Sequence, residues 1–330
     1  MEFRKIGGLG LTSSALGLGC MGMTGAYGTA DETESVNTIH RAIDLGVTMF
    51  DTADVYGPFI GEQLLGRALA GRRDDVLIAT KFGGAAMDDS GRVIGGVNGR
   101  PEYVRASVER SLRNLNTDRI DLYYQHRVDP DVPVEETFGA LGELVTAGKL
   151  RYLGISEADA ATIRRAHAAA PLSAVETEYS LFSRDVERSG VLATVRELGV
   201  GFVAYAPLGR GFLTGTVRSN DMLEPTDLRR SFPRFENAAL AQNLAVLERI
   251  TQVAAQLNVT TGQIALAWVL NQGTHIIAIP GTRRRTHLTE NVAAAALHLN
   301  AETLSALAEA IPTDAVAGAR RSPLDSAIQE

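Results

Sequence analysis

Short runs of β-branched and apolar residues alternate with amphipathic stretches from one end of the chain to the other. Eight of these runs read as strands, at 15–20, 48–51, 76–81, 121–126, 153–156, 174–178, 202–206 and 275–280. Most are almost continuously apolar instead of strictly alternating. That pattern marks strands covered on both faces, as in an all-parallel sheet. Between them lie helical patterns. Pro101 suits the first turn of the clearest one. Val104, Val108, Leu112 and Leu115 then form one apolar stripe, with Glu102, Arg105, Glu109 and Arg113 off it. A second helix is predicted over 133–147, with Val134, Phe138, Leu141 and Val145 inward and Gly148 as its stop. A third is capped by Asp31 and ends before Gly46.

Eight strands alternating with helices, with no Pro/Ser-rich linker, predict a single α/β domain over 1–330, a (β/α)8 TIM barrel. Two doubly wound halves are the rival arrangement. Ahead of the barrel, Phe3 to Ile6, a turn at Gly7-Gly8-Leu9-Gly10 and the run from Leu11 to Ser13 predict an N-terminal β-hairpin able to plug the barrel floor. Two loops stand out as candidates for shaping a site: the Gly-rich 85–99, expected to be mobile, and the proline-broken 215–234, where Phe232 and Phe235 are candidates to wall a pocket.

Composition narrows the class. The chain has 330 residues, 45% of them hydrophobic and 22% charged, which excludes a disordered chain. One cysteine, Cys20, excludes a disulfide scaffold or a cysteine zinc site, and the six histidines include no close pair at ligand spacing, so no metal is expected. No stretch approaches the roughly 18 consecutive apolar residues of a membrane span. The start, Met-Glu-Phe-Arg-Lys, has no apolar h-region behind it, so a cytoplasmic protein is expected. A net charge of −7 argues against nucleic acid or an anionic membrane as partner.

Gly17-Leu18-Gly19-Cys20-Met21-Gly22 matches the dinucleotide-binding G-x-G-x-x-G, but not its context. No helix opens after it, because Gly25 and Gly28 follow, and the next strand with its acidic residue, Asp51, comes too late.

The strand ends carry the chemistry. The second strand ends in Asp51-Thr52-Ala53-Asp54-Val55-Tyr56-Gly57, the third in Thr80-Lys81-Phe82, the fourth in Gln125-His126-Arg127. In a parallel barrel these ends face one mouth, where active sites sit. Asp51, Tyr56, Lys81 and His126 are therefore expected to converge. A tyrosine with a pKa near 10 is a poor acid or base at neutrality; a nearby lysine cation is expected to lower that pKa. Asp51 can neutralise the lysine, and His126 can hydrogen-bond a carbonyl oxygen. Such a set delivers a proton to oxygen while an electron pair reaches carbon.

At these residues the chain resembles the aldo-keto reductase superfamily, with its Asp-Tyr-Lys-His tetrad intact. It is nearest to the microbial and plant branch, through Gly19-Cys20-Met21-Gly22 and Glu178-Tyr179-Ser180-Leu181. The resemblance spans essentially the whole chain. It implies a barrel that binds NADPH (NADP+) across its mouth, with NADH as the alternative, and reduces an aldehyde or ketone with Tyr56 as proton donor. It further implies that Gly19, Cys20 and Met21 lie near the nicotinamide, that Ser156 and Glu176 meet the carboxamide, and that Tyr205 stacks on the ring. Pro207, Leu208, Gly209 and Arg210 would run along the pyrophosphate. Gly281, Thr282, Arg283, His287, Glu290 and Asn291 would surround the 2′-phosphate and adenine, where Arg283, Arg284 and Arg285 form a local basic cluster at a helix start.

Three residues depart from the pattern. Glu176 stands where glutamine is usual: an ionised carboxylate there adds charge and loses a donor, so either its pKa is raised or the contact differs. His287 replaces a frequent phosphate-binding arginine, and Gly281 a lysine of some branches, which leaves Arg283 as the principal phosphate candidate. Cys20, beside the expected nicotinamide, is a candidate for oxidation. Two other functions fit the same residues: a barrel aldolase with Lys81 as Schiff-base nucleophile, and an NADPH-binding regulatory subunit with little turnover. The identity of the carbonyl substrate and the oligomeric state, homo-oligomer or monomer, are left open by the sequence.

Overall fold

A computed structural model describes residues 1–312 and 315–321. A hairpin of β1 (Phe3–Ile6) and β2 (Leu11–Ser14) leads into β3 (Leu18–Gly19). Then α1 (Glu32–Asp44) precedes β4 (Met49–Asp51), and α2 (Ile60–Ala68) precedes β5 (Leu77–Phe82). A ribbon of β6 (Ala86–Met87) and β7 (Val93–Gly95) comes before α3 (Pro101–Leu115). The chain continues through β8 (Ile120–Gln125), α4 (Val134–Thr146), β9 (Leu150–Ser156), α5 (Ala160–Ala169), β10 (Leu172–Glu178), α6 (Val191–Leu198) and β11 (Gly201–Tyr205). Next come α7 (Asn237–Gln256), α8 (Thr261–Leu270), β12 (Ile276–Ile279), α9 (Arg285–Ala293) and α10 (Ala301–Ala310).

Strands β3, β4, β5, β8, β9, β10, β11 and β12 pair in parallel in that order. The sheet closes on itself where Leu16 bridges Ala278 and Gly19 bridges Gly281. The Gly17 N–H donates to the Ala278 carbonyl at 2.9 Å, and the Ala278 N–H to the Ala15 carbonyl at 3.1 Å. This is the expected (β/α)8 barrel. The first strand differs most from expectation: regular pairing holds just Leu18–Gly19, while Leu16 makes a single seam bridge and the Cys20 N–H donates to the Asp51 carbonyl.

The helices form for local reasons that the sequence shows. The Asp31 side chain accepts from the Glu34 N–H at the start of α1, and Glu32 and Glu34 sit in its first turn where the helix dipole favours them. Pro101 opens α3, and Thr260 and Gln263 cap α8 reciprocally. Loop 85–99 differs from expectation: instead of a plain Gly-rich loop it carries the β6–β7 ribbon, whose Met87 N–H donates to the Tyr103 hydroxyl at 2.9 Å. Segment 215–233 contains short 3-10 turns at Asn220–Met222 and Leu228–Ser231 but neither α-helix nor strand. No single helix among the described residues is long and apolar enough to cross a membrane.

Two cores follow from the closed sheet. The larger lies between strands and helices; the smaller fills the barrel. Ile6 and Leu11 of the hairpin enter the smaller core from below, so the hairpin does plug the floor. Above them, Met49, Ala79, Tyr124 and Val203 form the interior packing. Because side chains alternate across a strand, the residues two positions further along also point inward. Those residues are Asp51, Lys81, His126 and Tyr205, and the pleat of β9 and β10 adds Ser156 and Glu176, so alternation alone delivers a polar layer over an apolar one.

Tyr124 crosses the interior over Gly154, its partner in register. A Cβ on Gly154 would lie 2.3 Å from the Tyr124 ring. We predict that Gly154→Ala destabilises the barrel by about 1–3 kcal/mol, the usual effect of overpacking a filled core. An unchanged denaturation midpoint would show that this layer has room to spare.

Candidate active site

Lys81 sits at the C-terminal end of β5 with no exposed surface. Its Nζ donates to Asp51 Oδ1 at 2.5 Å and to the Thr52 carbonyl at 3.0 Å. On the other side, Glu176 Oε1 lies 3.3 Å away. Both carboxyls are buried, at 3% and 2% exposure for Asp51 and Glu176. Burial opposes the charge on Lys81, but the Asp51 and Glu176 charges outweigh it, and the ammonium is held above the ordinary lysine range. Burial likewise drives both carboxyls up against the pull of Lys81; Glu176 is pushed up to about 8.

Tyr56 lies on the turn between β4 and α2, which its own backbone stabilises: the Tyr56 N–H donates to Ala53 and its carbonyl accepts from Gly61. The half-buried ring has Lys81 Nζ 5.5 Å from its centroid. His126 meets it edge-on, with centroids 6.0 Å apart. The lysine was expected to lower the Tyr56 pKa. Its cation does pull that way, but burial is the larger effect, and Asp51 and Glu176 add to it. The net shift is upward, so Tyr56 rests as a phenol, a form that can give a proton but not take one. Burial, with Arg127 and Lys81 adding repulsion, holds His126 well below the ordinary histidine range, as a neutral imidazole. Its Nδ1 is buried without a protein partner, and Gly84 makes room for it.

Ser156 and Glu176 face each other in register on β9 and β10. Ser156 Oγ and Glu176 Oε2 are both buried without a partner. Buried polar atoms are normally paired, so this corner fits a ligand group that both donates and accepts, as a carboxamide does. Tyr205 ends β11, and Leu208 and Pro207 are buried behind it. Gly19 and Gly281 serve the barrel seam, and Met21 opens a 3-10 turn beside them.

The rest of the expected cofactor lining is more dispersed. Arg210 is drawn to Glu178 at 3.2 Å and the Tyr27 hydroxyl at 3.3 Å, and lies over the Phe232 ring. The three arginines expected to form one cluster diverge. Arg285 pairs with Glu34 of α1, Arg284 is exposed, and Arg283 donates to the Gly28 carbonyl at 2.8 Å. Electrostatic repulsion and a ready acidic neighbour explain the separation. Glu290 accepts from Thr260 at 2.5 Å, while Asn291 is buried, His287 exposed, and Thr282 caps the Arg284 N–H. Phe232 and Phe235 do line a small cavity, together with Phe182 and Phe212.

The oxidation expected of Cys20 is at odds with its surroundings. The thiol is 1% exposed, and burial followed by the Asp51 charge pushes its pKa far up, the setting of an inert cysteine. Residues that sequence reasoning missed also cluster here. The side chain of Glu157, a residue at a left-handed φ of 54°, is buried and paired with Arg320 and Arg321; burial pushes its carboxyl up, but Arg320 outweighs that and holds it far below the usual range. Arg127 follows His126 at the mouth and donates to its carbonyl. Its position directly after a strand-end histidine was the available signal; Glu157 had none, since its partners lie at the other end of the chain.

Residues 15–312 match the model of the Aldo/keto reductase family. Among solved structures, the glycerol dehydrogenase of Gluconobacter oxydans is 29% identical with a TM-score of 0.84, covering 93% of this chain and 94% of that one. A thermostable aldo-keto reductase solved with the inhibitor epalrestat is 30% identical with a TM-score of 0.74, covering 94% of this chain and all of its own, at 100%.

We predict that Lys81→Met, by stranding two buried carboxyls, destabilises the protein by about 3–5 kcal/mol near pH 8. The loss should shrink toward pH 5 as those carboxyls protonate; equal losses at both pH values in chemical denaturation would contradict the ion cluster. Native Cys20 should resist iodoacetamide without any added ligand and react fully once the chain is unfolded. Rapid alkylation of the native protein would contradict its burial.

Proposed function

Since the chain belongs to the aldo/keto reductase family, we propose that it is an NADPH-dependent oxidoreductase reducing an aldehyde or ketone to the alcohol, with Tyr56 as proton donor. The observation that carries this reading is the grouping of Tyr56 with Lys81, its Nζ 5.5 Å from the ring centroid, and with His126, edge-on at 6.0 Å, at the barrel mouth, where burial favours the phenol form of Tyr56.

A reduced nicotinamide, when bound, supplies the hydride for the carbonyl carbon. The residues of the chain do the rest. Ser156 and Glu176 offer their unpartnered oxygens to the carboxamide, and Tyr205 offers its ring face. His126, uncharged, can donate a hydrogen bond to the substrate oxygen and so fix its direction. As negative charge grows on that oxygen, the Tyr56 hydroxyl transfers its proton. Lys81, behind the ring, stabilises the phenolate left on Tyr56, and Asp51 keeps Lys81 in place. Alcohol oxidation runs the same steps backward and starts from the Tyr56 phenolate, which accepts the proton of the alcohol. With a glycerol dehydrogenase among the structural neighbours, short hydroxyaldehydes and hydroxyketones belong in the first substrate panel.

The Schiff-base aldolase reading is disfavoured. Such a lysine must be neutral and reachable, whereas Lys81 is fully buried and clamped between two carboxyls. Preference for NADPH over NADH rests on Arg283, one end of which holds Gly28 while its other donors are without a protein partner among the described contacts.

NADPH oxidation measured against a panel of carbonyls should show turnover, and Tyr56→Phe should lower kcat by about 10²–10⁴-fold with NADPH affinity little changed. Undiminished turnover in Tyr56→Phe would remove Tyr56 from its role. Tight NADPH binding with no carbonyl reduced would favour a regulatory binding module. Arg283→Ala should raise KM for NADPH by about tenfold, the effect of losing a hydrogen bond to a charged group, and leave KM for NADH nearly unchanged. Equal changes for both would take the phosphate away from Arg283.

A further inference from the structure

The interior polar layer holds an imbalance of charge. Lys81 is one cation; Asp51 and Glu176, both within salt-bridge reach of its Nζ, would be two anions. The groups around Glu176 are Asp51 of β4, Tyr56 of the next loop, Lys81 of β5, Tyr124 of β8, Arg127 just beyond it and Ser156 of β9. Val203, its partner on β11, carries no charge. Arg127 is the second cation, but its guanidinium is turned to the His126 carbonyl and its influence on Glu176 is the smallest of the charges named. An uncompensated anion in this buried layer is costly.

The two carboxyls are not equivalent. Asp51 makes the short bond to Lys81 at 2.5 Å, while Glu176 stands back at 3.3 Å. Glu176 Oε1 takes that contact. Glu176 Oε2 and Asp51 Oδ2 are both buried with no partner, and of the two carboxyls the one farther from the Lys81 cation is the easier to protonate. A carboxylic acid has one O–H donor and one carbonyl acceptor in a plane, much as a primary amide has an N–H donor and an acceptor.

We propose that Glu176 is a positioning residue that works as a neutral carboxylic acid, leaving Asp51 as the sole counter-charge of Lys81 and substituting for a primary amide beside Ser156 in holding the nicotinamide carboxamide. The carboxamide half rests on the NADPH reading; the protonation half does not. Burial and the Asp51 charge, which push Glu176 up to about 8, act in the same direction.

Three measurements on the full chain decide it. Infrared difference spectra of ligand-free wild type against Glu176→Gln should show a protonated carboxylic C=O stretch at pH 6 that disappears with a midpoint near pH 8. Only carboxylate bands at pH 6 would overturn the proposal. Thermal unfolding gives a second readout. A carboxyl whose folded pKa is raised stabilises the protein fully below the unfolded glutamate pKa of about 4.3, and that stability is lost as pH rises through the folded pKa. The Tm of wild type minus that of Glu176→Gln should therefore fall between pH 6 and 8 and level off above 9; a constant difference would contradict the proposal. Third, NADPH titration by fluorescence should show wild-type Kd rising about tenfold by pH 9 and Glu176→Gln staying flat. Parallel pH dependence in the two proteins would overturn the carboxamide half. Failure of both to bind NADPH at any pH would overturn that half together with the cofactor reading, and the infrared band would still decide the protonation.

Discussion

Lys81 carries its charge where no water reaches it, with Asp51 at 2.5 Å as its counter-charge and Glu176 Oε1 beside it at 3.3 Å. Most of the mouth depends on that cluster. Without the lysine, two carboxyls would face each other in the barrel interior. Without the carboxyls, burial would strip the lysine of its proton. The cluster also sets the state of its neighbours: its cation helps hold His126 neutral, and its carboxyls help hold Tyr56 as a phenol. A proton donor and an uncharged hydrogen-bonding partner therefore stand together at one spot, which is what reduction of a carbonyl requires.

The barrel converts a simple alternation into this arrangement. Apolar residues fill the interior up to Tyr124 and Val203, and the hairpin residues Ile6 and Leu11 close it from below. One pleat higher, the inward positions of six strands are polar. The rigid lower layer is what fixes the upper one: Lys81 and Tyr124 are partners in register, and so are Tyr124 and Gly154. A shift in that packing would carry the lysine away from both carboxyls. The Arg283–Arg285 segment is looser in construction, with Arg285 drawn to Glu34 and Arg283 to the Gly28 carbonyl.

Much of this was readable in the chain. Asp51, Lys81 and His126 each end an apolar run, and parallel strands put such ends on one face. The barrel and its hairpin plug followed from the same runs. Other features were not readable because they arise from encounters between distant segments. The first strand is shorter than its apolar run because 15–17 lie at the barrel seam. Glu157 finds Arg320 and Arg321 across half the length of the chain. The arginine cluster reads as one site along the sequence, yet Glu34, on a different helix, removes Arg285 from it. Tyr56 shows the limit of pairwise chemistry: a lysine beside a tyrosine argues for a lowered pKa, but the depth of burial, which only the fold determines, reverses the outcome. For Glu176 the sequence left two alternatives open, a raised pKa or an altered contact, and the geometry around Lys81 favours the first.

The chemistry of the mouth comes down to where the protons sit: three on Lys81, one on Tyr56, one on Glu176 and none on Asp51. Neutron diffraction from deuterium-exchanged crystals near neutral pH reads these sites directly. Deuterium is expected on Lys81 Nζ as a full ammonium, on the Tyr56 hydroxyl and on Glu176 Oε2, with Asp51 bare. A neutral Lys81 amine, or Glu176 and Asp51 both without deuterium, would contradict it.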